Sequence, residues 1–236
     1  MTIALGPGDR VLWGEYCSNP ERRQVRLYVS QDAGRSFEVG HVFPTGEIRH
    51  VHNIVYDETL DQYWVLTGDF GGEAGIGLLS ADQADFEWVA RGTQEYRAVC
   101  VFSFSDSLVY GTDTEKEANA VMRLDKATGR VQRIVELEGS CIYACRFGGL
   151  YALSTTVEPS TVNLSKDAAL WFSRDGERWA KVFTAPKDRW HPKYFQYGSL
   201  VLPHGASNRE VITFSGQALR GLDGQTMVGS LADGAL

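Results

Sequence analysis

Ser30-Gln31-Asp32-Ala33-Gly34-Arg35-Ser36-Phe37 decides how the chain is read. Its pattern, S-x-D-x-G-x-x-F, lies between two runs that alternate apolar and polar residues. Before it, Val25, Leu27 and Val29 alternate with Arg26, Tyr28 and Ser30, the period-2 signature of a strand with one buried face. A short hydroxyl and a carboxylate at this spacing can accept hydrogen bonds from nearby backbone N–H groups. Gly34 supplies the positive φ that such a turn needs. Phe37 is expected to return into the apolar layer.

A second copy, Ser173-Arg174-Asp175-Gly176-Glu177-Arg178-Trp179, is one residue shorter but keeps Ser173, Asp175, Gly176 and the aromatic Trp179. Two degenerate copies lie between them. Ser80-Ala81-Asp82 has Ala84 in place of the glycine, and Asp125 is followed by a displaced Gly129. Asp32, Asp82, Asp125 and Asp175 recur at about 40–50 residues, the size of a four-stranded propeller blade. The motif resembles the Asp-box of BNR repeats in the sialidase-like superfamily. That resemblance implies a β-propeller with these turns on the outer rim. The stretch Arg49–Asp69 also resembles an uncharacterised bacterial subgroup of such propellers, often named as glycosidases.

The fold class expected is therefore all-β, a single propeller domain over residues 1–236. Its blades are placed at about 1–46, 47–93, 94–139, 140–192 and 193–236, four of them four-stranded and the last incomplete. The 25 glycines against 7 prolines, with 11% aromatics, suit many short strands joined by tight turns. No segment sustains a helical apolar period. The chain begins inside an inner strand and stops one strand short. Three arrangements follow: a five-bladed ring without a shared terminal blade, an upstream piece with further blades, or a homodimer paired through open edges. The last two are preferred.

A net charge of −7 argues against a nucleic-acid partner. No run approaches the roughly 20 apolar residues that span a bilayer, and no signal peptide is apparent, so a cytoplasmic protein is expected. Cys17, Cys100, Cys141 and Cys145 match no zinc spacing and read as buried thiols.

In antiparallel blades, inner strands start and second strands end on one face. Arg49, His50, His52, Tyr96, Arg97, Tyr143, Tyr194 and Gln196 are assigned to inner-strand starts there. Glu15, Tyr16, Asp69, Asp113 and Glu158 are assigned to second-strand ends, and Trp190 to a loop nearby. His50 and His52, two apart on a strand, share a face. That spacing suits a general base with a positioning partner, or two metal ligands completed by Asp69 or Asp113. No metal or other cofactor is assigned.

The expected ligand is a carbohydrate or acidic small molecule. Arg97 would clamp a carboxylate, and the tyrosines would stack on sugar faces. A non-catalytic glycan-binding or interaction role is preferred. The alternative is hydrolysis or elimination on an acidic glycan, with His52 as base and Tyr143 as acid or stacking partner. True sialidase chemistry is not expected. No x-R-x-P motif stands near the N-terminus, and Arg146 falls toward the wrong end of its strand.

Overall fold

The computed structural model describes residues 3–83 and 85–230. Ala84, read as the missing glycine of the second turn, and the terminal Leu231–Leu236 lie outside the described residues. The protein is all-β, a β-propeller built from successive antiparallel sheets. The described helical elements are two short 3₁₀ turns, η1 (Gly71–Glu73) and η2 (Gln94–Tyr96). No helix among the described residues is long and apolar enough to cross a membrane.

The first sheet runs β1 (Ala4–Leu5), β2 (Val11–Gly14), β3 (Val25–Ser30) and β4 (Glu38–Phe43). The second runs β5 (His50–Asp57), β6 (Gln62–Gly68), β7 (Gly75–Ser80) and β8 (Phe86–Arg91). A third holds β9 (Phe102–Ser103), β10 (Ser107–Gly111), β11 (Ala120–Asp125) and β12 (Val131–Glu136). The fourth is built from β13 (Ser140–Phe147), β14 (Leu150–Thr156), β15 (Asp167–Ser173) and β16 (Ala180–Pro186). The last has three described strands, β17 (Ser199–Val201), β19 (Val211–Gln217) and β20 (Thr226–Ser230).

By packing, the chain divides into two compact units. One comprises Met1–Leu108 with Leu124–Val131, the other Val109–Arg123 with Gln132–Leu236. In the first, Leu12, Val25, Leu27, Val29, Phe43, Ile54, Val65 and Leu79 form one apolar cluster, the inward faces of the alternating strands. Gly14 lets β2 approach β5, because a Cβ there would collide with Val51. In the second unit Phe147, Leu150, Leu170, Phe172, Leu200, Ile212 and Phe214 form the equivalent core.

The two complete turns close as their residue types require. Asp32 Oδ1 accepts from the N–H groups of Arg35 and Ser36, both at 2.9 Å, while Ser30 Oγ accepts from Gly34 at 2.8 Å. Gly34 has φ +85°. The hydroxyl and N–H of Ser36, with Ser30 Oγ, hold the Asp32 carboxyl down to about 2. Asp175 repeats the arrangement, accepting from Glu177 and Arg178 N–H groups at 2.9 Å each, and Trp179 Nε1 donates to Gly176 O. Asp175→Ala should lower stability by about 1 kcal/mol through loss of these N–H partners, measurable as a melting shift of a few degrees. An unchanged midpoint would show that the turn closes without the carboxylate.

Several local expectations are corrected. Phe37 does not enter the apolar layer; it is 43% exposed and meets Trp13 edge-on. Cys17 is exposed, because β2 ends at Gly14, whereas the other three cysteines are buried. Tyr96 and Arg97 do not start an inner strand. They sit on and just after η2, and the carbonyls of Ala98 and Val99 bond to the His52 and Asn53 side chains. Tyr194 and Gln196 precede β17 in a turn closed by Tyr194 and Phe195 N–H groups on His191 O. The loop at His204–Glu210 hides β18 (Ala206–Ser207), which adds to β13 in parallel and makes the fourth sheet five-stranded.

Candidate functional site

The antiparallel register of the second sheet builds the site. His50 opens β5 and pairs with Gly68, the last residue of β6, so Asp69 emerges beside it. A register shift between Val51 and Asn53 interrupts strict alternation. The His50 and His52 rings lie 5.1 Å apart at 37°. Gly68 is required here. A Cβ would overlap the His52 ring at Cε1 and Nε2.

Asp69 is the hub. Arg49 Nη1 donates to its Oδ2 at 2.8 Å. Its Oδ1 meets His52 Nε2 at 3.2 Å, His50 Nε2 at 3.3 Å and Arg97 Nη2 at 3.6 Å. The second nitrogen of each imidazole rests on a backbone carbonyl: His52 Nδ1 on Ala98 O at 2.9 Å, His50 Nδ1 on Cys17 O at 3.2 Å. The two histidines and Arg97 are more than nine-tenths buried. Burial by itself would raise the Asp69 carboxyl. The contacts with His50 and His52 and the charge of Arg97 outweigh it and hold the group well below the usual carboxylate range.

The sequence reading brought Arg49, His50, His52, Asp69 and Arg97 to one place, and the first unit assembles all five. It missed Gln94, whose Nε2 donates to the Asp69 backbone carbonyl at 2.9 Å. It also missed the roles of the Cys17 and Ala98 carbonyls, which no residue type announces. Tyr16, 55% exposed, sets its ring 4.3 Å from that of His50 at a tilt of 36°, and Arg97 lies over Phe70 at 5.4 Å. Glu15 is occupied structurally, accepting from Tyr28 Oη at 3.0 Å and from Arg26 N–H at 2.9 Å.

Of the remaining candidates Tyr96 ends η2 in the first unit, and the others belong to the second. Tyr143 packs half-buried against its apolar core, and burial raises its phenol. Burial, followed by Glu158, also raises the Tyr197 phenol. Asp113 is buried between Thr112 and Thr114, which share hydrogen bonds with Asn119. Trp190 is half-exposed, with Arg189 over its ring at 4.8 Å and Phe195 at 5.2 Å. Tyr194 and Gln196 are exposed on the same loop.

No protein-family model and no curated protein matches the chain. Solved structures do. One described as an oligogalacturonate lyase in complex with manganese superposes with a TM-score of 0.63 at 9% identity, over 99% of this chain and 65% of that one. The nidogen/laminin complex gives 0.58 at 8% identity, over 91% and 70%. A GH74 xyloglucanase from Xanthomonas campestris gives 0.56 at 15% identity, over 77% of this chain and 29% of the enzyme. At these identities the likeness establishes the propeller fold alone.

Proposed function

We propose that the chain is a glycan-binding propeller that recognises an acidic sugar at the Arg49–His50–His52–Asp69–Arg97 cluster. The observation that carries this is the convergence of Arg49, Arg97, His50 and His52 on the one carboxylate of Asp69. Guanidinium groups gathered at one point are the donors that suit a uronate-type carboxylate. Tyr16 offers an exposed ring beside His50 for the face of a sugar. On this reading the chain is an Asp-box propeller of the sialidase-like kind, supported by the matching hydrogen bonds of its two turns. The carbohydrate-active enzymes among its structural neighbours fit a glycan ligand.

Binding is preferred over catalysis because His52 is more than nine-tenths buried and both its ring nitrogens already face protein atoms, the Ala98 carbonyl and Asp69. The second reading, hydrolysis or elimination of the same glycan, is favoured by the contact between His52 and Asp69.

Calorimetric titration with uronate oligosaccharides and their neutral counterparts tests the proposal. Uronate chains should bind and neutral chains should not. Arg97→Ala should weaken uronate binding at least about tenfold, the loss of one charge-assisted contact. Absence of uronate binding, or equal affinity in Arg97→Ala, would overturn the reading. Released product in the same samples would select the catalytic alternative.

A further inference from the structure

We propose that His50 Nε2, His52 Nε2 and Asp69 Oδ1 form the protein side of a divalent transition-metal site. The argument starts from the outer contacts. A backbone carbonyl can only accept, so Nδ1 of His52 on Ala98 O and Nδ1 of His50 on Cys17 O each carry the hydrogen. In the neutral ring Nε2 then carries the lone pair. Both Nε2 atoms point at one carboxylate oxygen, at 3.2 and 3.3 Å, so three electron pairs converge in a buried cluster. His50 Nε2 makes no hydrogen bond there, although the residue is more than nine-tenths buried. Converging acceptors repel one another unless a cation lies between them.

The spacing fits a metal ion. Ligands about 2.0–2.2 Å from a tetrahedral centre stand about 3.3–3.5 Å apart, and all three atoms lie within 4.8 Å of one another. The outer shell fits as well. Imidazole ligands ordinarily donate their other N–H to a carbonyl, and ligating carboxylates are themselves hydrogen-bonded. Here Arg49 holds Oδ2 at 2.8 Å and leaves Oδ1 facing the histidines. Gln94, anchored to Asp69 through Nε2, keeps Oε1 as a buried acceptor without a hydrogen-bond partner. Two imidazoles and one carboxylate select zinc- or cobalt-like ions over calcium or magnesium, which take oxygen sets.

This site shares residues with the proposed glycan site but rests on different contacts, so it is tested without glycan. The chain is stripped with chelator and titrated with Zn²⁺ and with Co²⁺. Binding at one ion per chain is expected, with visible Co²⁺ absorption of tetrahedral character. His52→Ala and His50→Gln should each weaken binding by more than the roughly 10–100-fold typical of outer-shell changes, and Arg49→Ala by about that amount. Circular dichroism of each variant separates lost ligands from lost folding. No saturable binding of either ion overturns the proposal, as does binding that survives in the folded His50→Ala/His52→Ala double variant. Failure of both ions to bind, in protein that still binds uronate, would overturn this proposal and leave the glycan reading standing.

Discussion

Lys126→Met is expected to destabilise the first unit by about 3–5 kcal/mol, the cost of leaving one partner of a buried ion pair alone. Lys126 Nζ lies 2.6 Å from Asp57 Oδ2 and 2.9 Å from Ser103 Oγ, and it also bonds the Phe104 carbonyl. Asp57 is fully engaged. Its Oδ2 accepts from Trp64 Nε1 at 2.7 Å and Ser103 Oγ at 2.8 Å, and its Oδ1 from Thr59 N–H at 2.9 Å. The carboxylate is 1% exposed and the ammonium 7%, so neither can recover water when the other is removed.

Burial pushes the Asp57 carboxyl up. The hydrogen bonds from Lys126, Trp64 and Ser103 and the lysine charge outweigh this and bring it to about 2. A depressed carboxyl contributes stability above its unfolded value near 4 and loses it as pH falls through about 2, a change of about 2 kcal/mol. Urea unfolding at pH 7, 4, 3 and 2 should show that loss in the native chain and a smaller one in Asp57→Asn. Adding Asp57→Asn to Lys126→Met should recover part of the deficit, since the uncompensated charge is then gone. A Lys126→Met protein within 1 kcal/mol of the native chain would show that the pair is not a staple of the fold.

On the proposed glycan reading, Gly68→Ala should cut acidic-glycan affinity at least about 100-fold, the scale of a displacement near 1 Å at a positioned group. The added methyl would occupy the space of the His52 ring. The ring must then leave Asp69 and the Ala98 carbonyl together, which scatters the cluster without removing any of its charges. The stability cost should be the 1–3 kcal/mol of local overpacking. Titration against uronate oligosaccharides reads the affinity, and the imidazole NMR signals of His52 read the displacement. Native affinity with unmoved His52 signals would mean that neighbouring backbone yields instead and that the close approach is not what orders the site.

The contrast between these two positions shows what sequence can carry. The repeated antiparallel sheets were legible because strand alternation and self-capped turns are local. Val25, Leu27 and Val29 declare a face, and Asp32 and Asp175 find their N–H partners within a few residues. His50, His52 and Asp69 were legible for the same reason, since one hairpin register fixes all three. Arg97 was expected near the histidines at an inner-strand start; it lies 3.6 Å from Asp69 but starts no strand. It follows a 3₁₀ turn whose neighbouring carbonyls are taken by β5 side chains, and the apolar run at Tyr96–Phe102 gives no hint of that.

By itself, then, the sequence determined the strand pattern, the turn chemistry and the face of β5 that carries imidazoles, because these depend on residues a few positions apart. Only the tertiary structure decided that Gly68 must lack a side chain, that Cys17 and Ala98 lend their carbonyls to the histidines, and that Lys126 finds Asp57 across the fold. Those contacts join residues 16 to 69 positions apart through backbone atoms or through a lysine in an unremarkable turn. Carbonyls and close approaches leave no mark on residue type, so they exist for a reader only once the chain has packed.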